Sequence, residues 1–235
     1  MTASAAIGIM CKAPLPGRTK TRLAAIIGAE AAAELSACFL RDVAAAIEAV
    51  PAAIGRKGYG VYAPAGTEDE LRRLLPPSFD LLLQADAQFS NVLHGAMRTL
   101  LWRGHDCTLL INGDSPTLPS RLMSEAIASL RRPGDRMVLG PASDGGYYLI
   151  GLKRAHRHVF MDIPWGTAAV ARRTLERAAQ IDLEVAMLPE WYDVDDAGTL
   201  GWLREELAGR SARFRDGGTA AATRAYFAAS QAAAQ

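Results

Sequence analysis

"AAIGIMCKAPLPGRTKTRL", residues 5–23, joins an apolar run to a basic loop and governs the reading of all that follows. AAIGIM (5–10) has the continuous apolar character of a strand buried on both faces. Two prolines, a glycine and four basic side chains, Lys12, Arg18, Lys20 and Arg22, come directly after it. The whole chain carries 26 Lys and Arg against 25 Asp and Glu, a formal net charge of +1, so the concentration is local. Such a balance points away from nucleic acid and from anionic membranes as general partners. It leaves a loop that holds one strongly anionic ligand.

Within that loop Gly17 permits a close turn of the backbone. Pro14 and Pro16 restrict the segment before binding and lower the cost of ordering it. Arg18, Lys20 and Arg22 alternate, so an extended backbone presents all three on one side. Forked Arg donors beside a compact Lys charge suit polyphosphate oxygens. Neither GxxxxGK[ST] nor GxGxxG is present, and a solubilising basic loop is the alternative reading.

Outward from this point, apolar runs alternate with segments of helical period. Further strands are expected at 59–63, 79–84, 107–111, 136–140, 147–152 and 183–188. Helices are expected at 29–49, 68–75, 89–102, 120–131, 167–180 and 197–207; in the first, Leu35, Phe39, Val43 and Ile47 recur at four-residue steps. The alternation implies βα units: a single-domain, three-layer α/β/α fold on a mostly parallel, Rossmann-like sheet. In such sheets ligands lie outside the carboxyl ends of the strands, where the strand order switches. The length of 235 residues suits one core. The expected division is a domain over 1–208 and a tail over 209–235, docked or partly disordered, with an amphipathic patch at 224–229.

Three cysteines, Cys11, Cys38 and Cys107, form no paired framework or metal spacing and read as small buried hydrophobes in a reduced protein. The first residues lack a basic segment ahead of their apolar run, and no run approaches the ~20 residues of a membrane span. A cytoplasmic protein is expected.

Three acidic stretches share the carboxyl-end position. In LLINGDSPTLP (109–119), Asp114 stands in a rigid turn just past a strand, placed to hold a divalent cation or to cap the next helix. In WYDVDDAGTL (191–200), Asp193 and Asp195 alternate around Val194 and share one face of an extended backbone. Their repulsion is relieved by a metal or by bases, and Asp114 completes the set. Asp196 reads as the N-cap of the last helix, and a simple capping cluster is the alternative for all three. In GPASDGGYYLIGL (140–152), Asp144 precedes two glycines and is either a turn residue or a contact to a sugar hydroxyl, an amine or the metal. Trp165 in IPWGT is a core aromatic or a lid over a base or acceptor.

KAPLPGRTKTRL, GDSPTLP, GPASDGGYYLIGL, IPWGT and WYDVD occur in order from residue 12 to about 200. With these motifs the chain resembles the rSAM/selenodomain-associated transferases of the nucleotide-diphospho-sugar transferase superfamily, of GT-A fold. More distantly it is similar to 2-phospho-lactate and molybdenum-cofactor guanylyltransferases. The resemblance implies a nucleotide-binding half built from the first strands and an acceptor half after GDSP. It implies that Lys12, Gly17, Arg18, Lys20 and Arg22 contact phosphates, that Asp114, Asp193 and Asp195 share Mg²⁺ or Mn²⁺, and that Asp114, Lys20 and Asp144 serve the chemistry. The Asp-x-Asp of glycosyltransferases is here Asp-Ser-Pro, and QFSNVLHGAM (88–97) replaces a Gly-Glu-Arg-like segment.

The function implied is a Mg²⁺-dependent transferase with a nucleotide or nucleotide-sugar donor and a small acceptor, most simply a glycosyltransferase. A nucleotidyltransferase releasing pyrophosphate is the alternative, and a non-catalytic nucleotide-binding protein the third. No nucleic-acid partner and no membrane span are expected.

Overall fold

The computed structural model describes residues 4–84 and 88–233. In chain order its elements are β1 (Ala5–Lys12), α1 (Thr21–Ile27), α2 (Ala29–Glu48), β2 (Arg56–Ala63), α3 (Glu68–Leu74), β3 (Asp80–Leu83), α4 (Phe89–Trp102), β4 (Cys107–Asn112), α5 (Ser120–Arg131), β5 (Arg136–Pro141), β6 (Tyr147–Leu152), α6 (Val170–Ala179), β7 (Glu184–Met187), α7 (Ala197–Leu207) and α8 (Ala221–Ala233). The strands form one sheet of order β3-β2-β1-β4-β6-β5-β7. β6 runs antiparallel to β4 and β5, and every other pairing is parallel. The chain therefore has the mixed, mostly parallel α/β sheet covered on both sides that its alternating pattern implies.

Pleating explains the two covered faces. On β1, Ile7, Ile9 and Cys11 join a cluster with Leu35, Phe39 and Val43 of α2 and Leu122 and Ile127 of α5. Ala6 points the other way, into a cluster with Leu93, Met97 and Leu100 of α4 and Phe160. Full burial of each larger side chain contributes about 1.5–3 kcal/mol, which makes the sheet the rigid base for its loops.

After β1 the chain lays β2 and β3 to one side and then crosses to place β4 on the other. The carboxyl ends of β1 and β4 are thus the switch point, and the loops that follow them meet there. Because β6 is reversed, Tyr147 at its start lies beside Pro141 at the end of β5, on that same edge.

One segment departs from its sequence reading. The end of the basic loop is not extended: Thr21–Ile27 form α1, entered through Lys20 in the left-handed region at φ 50 and ψ 46. Leu23 is driven into the core, and its burial outweighs the poor intrinsic stability of a seven-residue helix. Arg18, Lys20 and Arg22 consequently do not share one face. Gly17, at φ 72, makes the turn that precedes them.

Past α7 the chain folds back and α8 packs on α2. Asp42 of α2 is buried and caps the first turn of α8, accepting from the amides of Ala222 (2.8 Å) and Thr223 (2.9 Å) and from Thr223 Oγ1 (2.6 Å). A carboxylate at a helix N-terminus meets both the free amides and the favourable end of the dipole. Among the described residues no helix is long and apolar enough to cross a membrane. Asp42→Ala should cost about 2–3 kcal/mol, the usual worth of hydrogen bonds to a buried charge. Hydrogen exchange should accelerate selectively in the amides of α8, and uniform exchange across the chain would contradict the capping role.

Candidate functional site

Three chain-distant segments converge on Lys20. Its ammonium lies 2.9 Å from Asp114 Oδ1 and 2.6 Å from Asp195 Oδ1, and it donates to the Val194 carbonyl at 2.8 Å. The Lys20 side chain is only 6% exposed. Burial alone would depress its pKa, but the facing carboxylates of Asp114 and Asp195 outweigh that and hold it above the usual lysine value. Arg22, on α1, adds a second cation on Asp195 at 2.9 Å while remaining largely exposed.

The acidic segment is held in place from both sides. The Val194 amide donates to the Asp114 carbonyl at 2.9 Å, and Ser115 Oγ donates to the Tyr192 carbonyl at 2.7 Å. On the other flank the Ser143 amide donates to the Trp191 carbonyl at 3.0 Å. Glu206 of α7 accepts from Thr117 Oγ1 at 2.9 Å and from the Tyr192 hydroxyl, tying both acidic loops to one helix. Asp196 is the N-cap of α7, in a reciprocal capping box with Thr199. Asp114 does not cap α5; its carboxylate is engaged by Lys20.

A cleft of about 690 Å³ opens over the carboxyl ends of β1 and β4, lined by Lys12, Arg18, Lys20, Arg22, Asp114 and Asp195 among others. Among the described residues the side chains of Lys12 and Arg18 carry no hydrogen bond or ion pair, so their donors are free to meet a ligand. A second pocket of about 410 Å³ adjoins it and shares Arg22, Phe89, Asn112 and Asp195. Asp144 lines this second pocket rather than the first, its Oδ1 accepting from the Gly146 amide at 2.8 Å in a tight turn. Gly145 in that turn has φ 89, and a side chain there would strike the Ala168 backbone.

Asp193 stands beside the ion pair without joining it. Burial first, then the charges of Asp195, Asp144 and Asp114, push its carboxyl up to about 7 against the opposing pull of Lys20. Asp114 and Asp195 converge on the Lys20 ammonium, with Asp193 crowded beside them. Among the described residues no three His, Cys, Asp or Glu side chains form a metal-ligand group.

The sequence motifs thus locate most of the cleft. Phe89, Asn112 and Tyr147, which lie inside the quoted stretches 88–97, 109–119 and 140–152 without being given a role there, line the second pocket. Phe89 is the second residue of the 88–97 segment, and the difference of that segment from the pattern the motifs resemble was the available signal. Trp165 lines the same pocket, packed edge-on against Phe89 at 4.8 Å between ring centroids. The three cysteines are buried and unpaired, and burial raises the Cys11 thiol to about 12.

The family described as "Uncharacterized protein conserved in bacteria (DUF2064)" matches residues 46–167. No curated protein matches the chain by sequence. Among solved structures, a protein of Desulfovibrio desulfuricans G20 described as a nucleotide-diphospho-sugar transferase is 30% identical, with TM-score 0.82 over 97% of this chain and 96% of its own. A CMP:2-keto-3-deoxy-manno-octonic acid synthetase complexed with CTP is 12% identical, with TM-score 0.57 over 89% of this chain and all, 100%, of its own. Glucosyl-3-phosphoglycerate synthase of Mycobacterium tuberculosis, with Mn²⁺ and UDP, is 8% identical, with TM-score 0.52 over 89% of this chain and 78% of its own. The last two likenesses concern the fold alone.

Two outcomes test the geometry. Lys20→Met leaves Asp114 facing Asp195, with Arg22 still on Asp195, and should lower stability in urea unfolding by about 1–3 kcal/mol, discounted for the carboxylates' partial exposure. Glu206 carries a raised pKa, chiefly from burial, so its contribution is fully present below the free-carboxyl value of 4.5 and is lost as pH rises through the raised value. Glu206→Gln should therefore flatten the fall in melting temperature between acid and neutral pH and melt higher than the parent at pH 8. An unchanged slope would show that Glu206 is not the titrating group.

Proposed function

The chain belongs to the family described as "Uncharacterized protein conserved in bacteria (DUF2064)" and has the nucleotide-diphospho-sugar transferase fold, and on that premise we propose that it is a Mg²⁺-dependent transferase using a nucleotide-activated donor. The observation that carries the proposal is the meeting, in one cleft, of the basic loop after β1 with the carboxylates after β4 and β7. Beside the cleft lies a separate pocket of acceptor size.

In this reading Lys12, Arg18 and Arg22 hold the donor's phosphates, and Gly17 supplies the turn that lets the loop close around them. Lys20 keeps Asp114 and Asp195 together and neutralised until the donor arrives. Asp114 and Asp195, with Asp193 behind them, would hold Mg²⁺, which when bound supplies positive charge against the leaving phosphate oxygens. In glycosyl transfer, the acceptor oxygen bonds to the donor sugar's anomeric carbon as the bond from that carbon to the nucleoside diphosphate breaks. The hydroxyl proton passes to Asp144, whose carboxylate lines the acceptor pocket. The pairing of basic and acidic groups serves positioning and charge neutralisation more than covalent chemistry.

A second reading, nucleotidyl transfer with release of pyrophosphate, draws support from the lone carboxylate of Asp-Ser-Pro, which leaves its partner to come from Asp195. One experiment separates the two. Thermal melts are recorded with CTP, GTP, UTP, UDP-glucose and GDP-mannose, each with Mg²⁺ and with EDTA. A ligand at a hundred times its dissociation constant stabilises by about 2.7 kcal/mol, or roughly 5–10 °C for a chain this size. Metal-dependent stabilisation by a nucleotide-sugar is expected, with about tenfold weaker binding in Arg18→Ala. Stabilisation by a triphosphate alone favours the second reading. No shift with any nucleotide overturns both.

A further inference from the structure

The second pocket has a chemistry of its own. Its walls are mostly apolar or aromatic and include Phe89, Leu93, Leu110, Tyr147, Ile150 and Trp165, around a space of about 410 Å³. Trp165 meets Phe89 and Tyr147 edge-to-face, at 4.8 and 6.2 Å between centroids, and Ser90 Oγ accepts from its indole N–H at 2.8 Å. The contacts to Phe89 and Ser90 fix Trp165 in one orientation, so that part of the wall is preformed.

Its charges are as telling. Among the described residues lining it, Arg22 alone is basic, and that guanidinium is already bound to Asp195. Asp144 stands in the lining with its carboxylate answered, among the described residues, only by the Gly146 amide of its own turn. Two carboxylates, Asp144 and Asp195, stand against that one guanidinium, so the lining carries a net negative charge that disfavours an anion.

Among the described residues, two buried polar atoms of the lining, Tyr147 Oη and Asn112 Oδ1, have no hydrogen-bond partner. An unmade hydrogen bond at a buried group is costly. Both residues line the pocket, so a small side-chain movement on binding brings these atoms to a ligand. Tyr147 offers a donor and Asn112 an acceptor. A hydroxyl is the small neutral group that answers both at once.

We propose that this pocket selects a neutral acceptor with an apolar, ring-sized body and one hydroxyl group, and that it rejects carboxylated, phosphorylated and polyhydroxy acceptors. The assignment of the ligand as an acceptor rests on the transferase reading above, whereas the binding preference rests on the pocket alone. Asn112, shared by both cavities, places the bound hydroxyl at the seam that faces the donor cleft.

The test uses the intact protein without nucleotide, and calorimetry or ligand-observed NMR with three probes: benzyl alcohol, benzoate and glucose. Benzyl alcohol should bind in the millimolar range, benzoate at least tenfold more weakly, and glucose not at all at the same concentrations. Tyr147→Phe should weaken benzyl alcohol about fivefold to tenfold, as expected for one lost hydrogen bond. Trp165→Ala should weaken it about tenfold, with an unchanged far-ultraviolet circular dichroism spectrum showing that the fold is retained. Asp144→Asn should narrow the gap between benzyl alcohol and benzoate. Benzoate binding as tightly as the alcohol, glucose binding in its place, or no binding of the alcohol would each overturn the proposal. If nucleotides stabilise the protein while benzyl alcohol fails to bind, the transferase reading stands and this one falls. If the alcohol binds and no nucleotide does, the pocket's preference stands and the ligand ceases to be an acceptor.

Discussion

The Lys20 ammonium, buried between Asp114 and Asp195, is the contact on which the organisation of the site depends. It joins the loop after β1, the loop after β4 and the segment after β7, none of which is near another in sequence. An ammonium taken out of water tolerates its position only because two carboxylates face it, and those carboxylates lie close together only because it is there. The neighbouring Asp193, pushed up to about 7, shows what the same enclosure does to a carboxyl that has no cation of its own. Charge balance, rather than apolar packing, sets the spacing of the loops over the sheet.

Around that contact the fold supplies rigidity in layers. The two buried faces of the sheet fix the strand ends. Backbone bonds from Val194 and Ser143 then stitch the acidic segment to both neighbouring loops. Glu206 secures the same two acidic loops from below, at the cost of keeping one oxygen unpartnered in the interior. Among the described residues the cleft thereby presents two cations without an ion pair, Lys12 and Arg18, beside Lys20 and Arg22, which carboxylates hold.

Much of this is legible in the residues. The four-residue steps of α2, the apolar runs of β1 and β4 and the exact bounds of α4, α5 and β6 all follow from local periodicity. Asp196 was readable as a cap because capping depends on the next three residues only. α1 was not, because the prolines, glycine and alternating charges before it imitate an extended loop, and Leu23 finds its burial only in the folded chain. The same holds for Asp42, a mid-helix carboxylate whose partners come from the far end of the chain. Phe89, Asn112 and Tyr147 lie in quoted stretches but carry no role there, since a cavity wall is defined by what separate elements leave between them. The basic and acidic motifs announce the first cleft; the shape of the adjoining pocket appears only in three dimensions.

The reversed strand β6 gives the two halves of the site different evolutionary freedom. The loops of the first cleft follow parallel strands, so any change in them is constrained by crossover helices and by the shared register of β1 and β4. The turn between β5 and β6 is the short link of an antiparallel pair hanging over the same rim, and it already tolerates an irregular step between Gly140 and Pro141. Exchange there is bounded by Gly145, where a side chain would strike the Ala168 backbone, and by the Ser143 bond to Trp191. The freedom that remains belongs to the Asp144 side chain, which bears on the second pocket and on no strand.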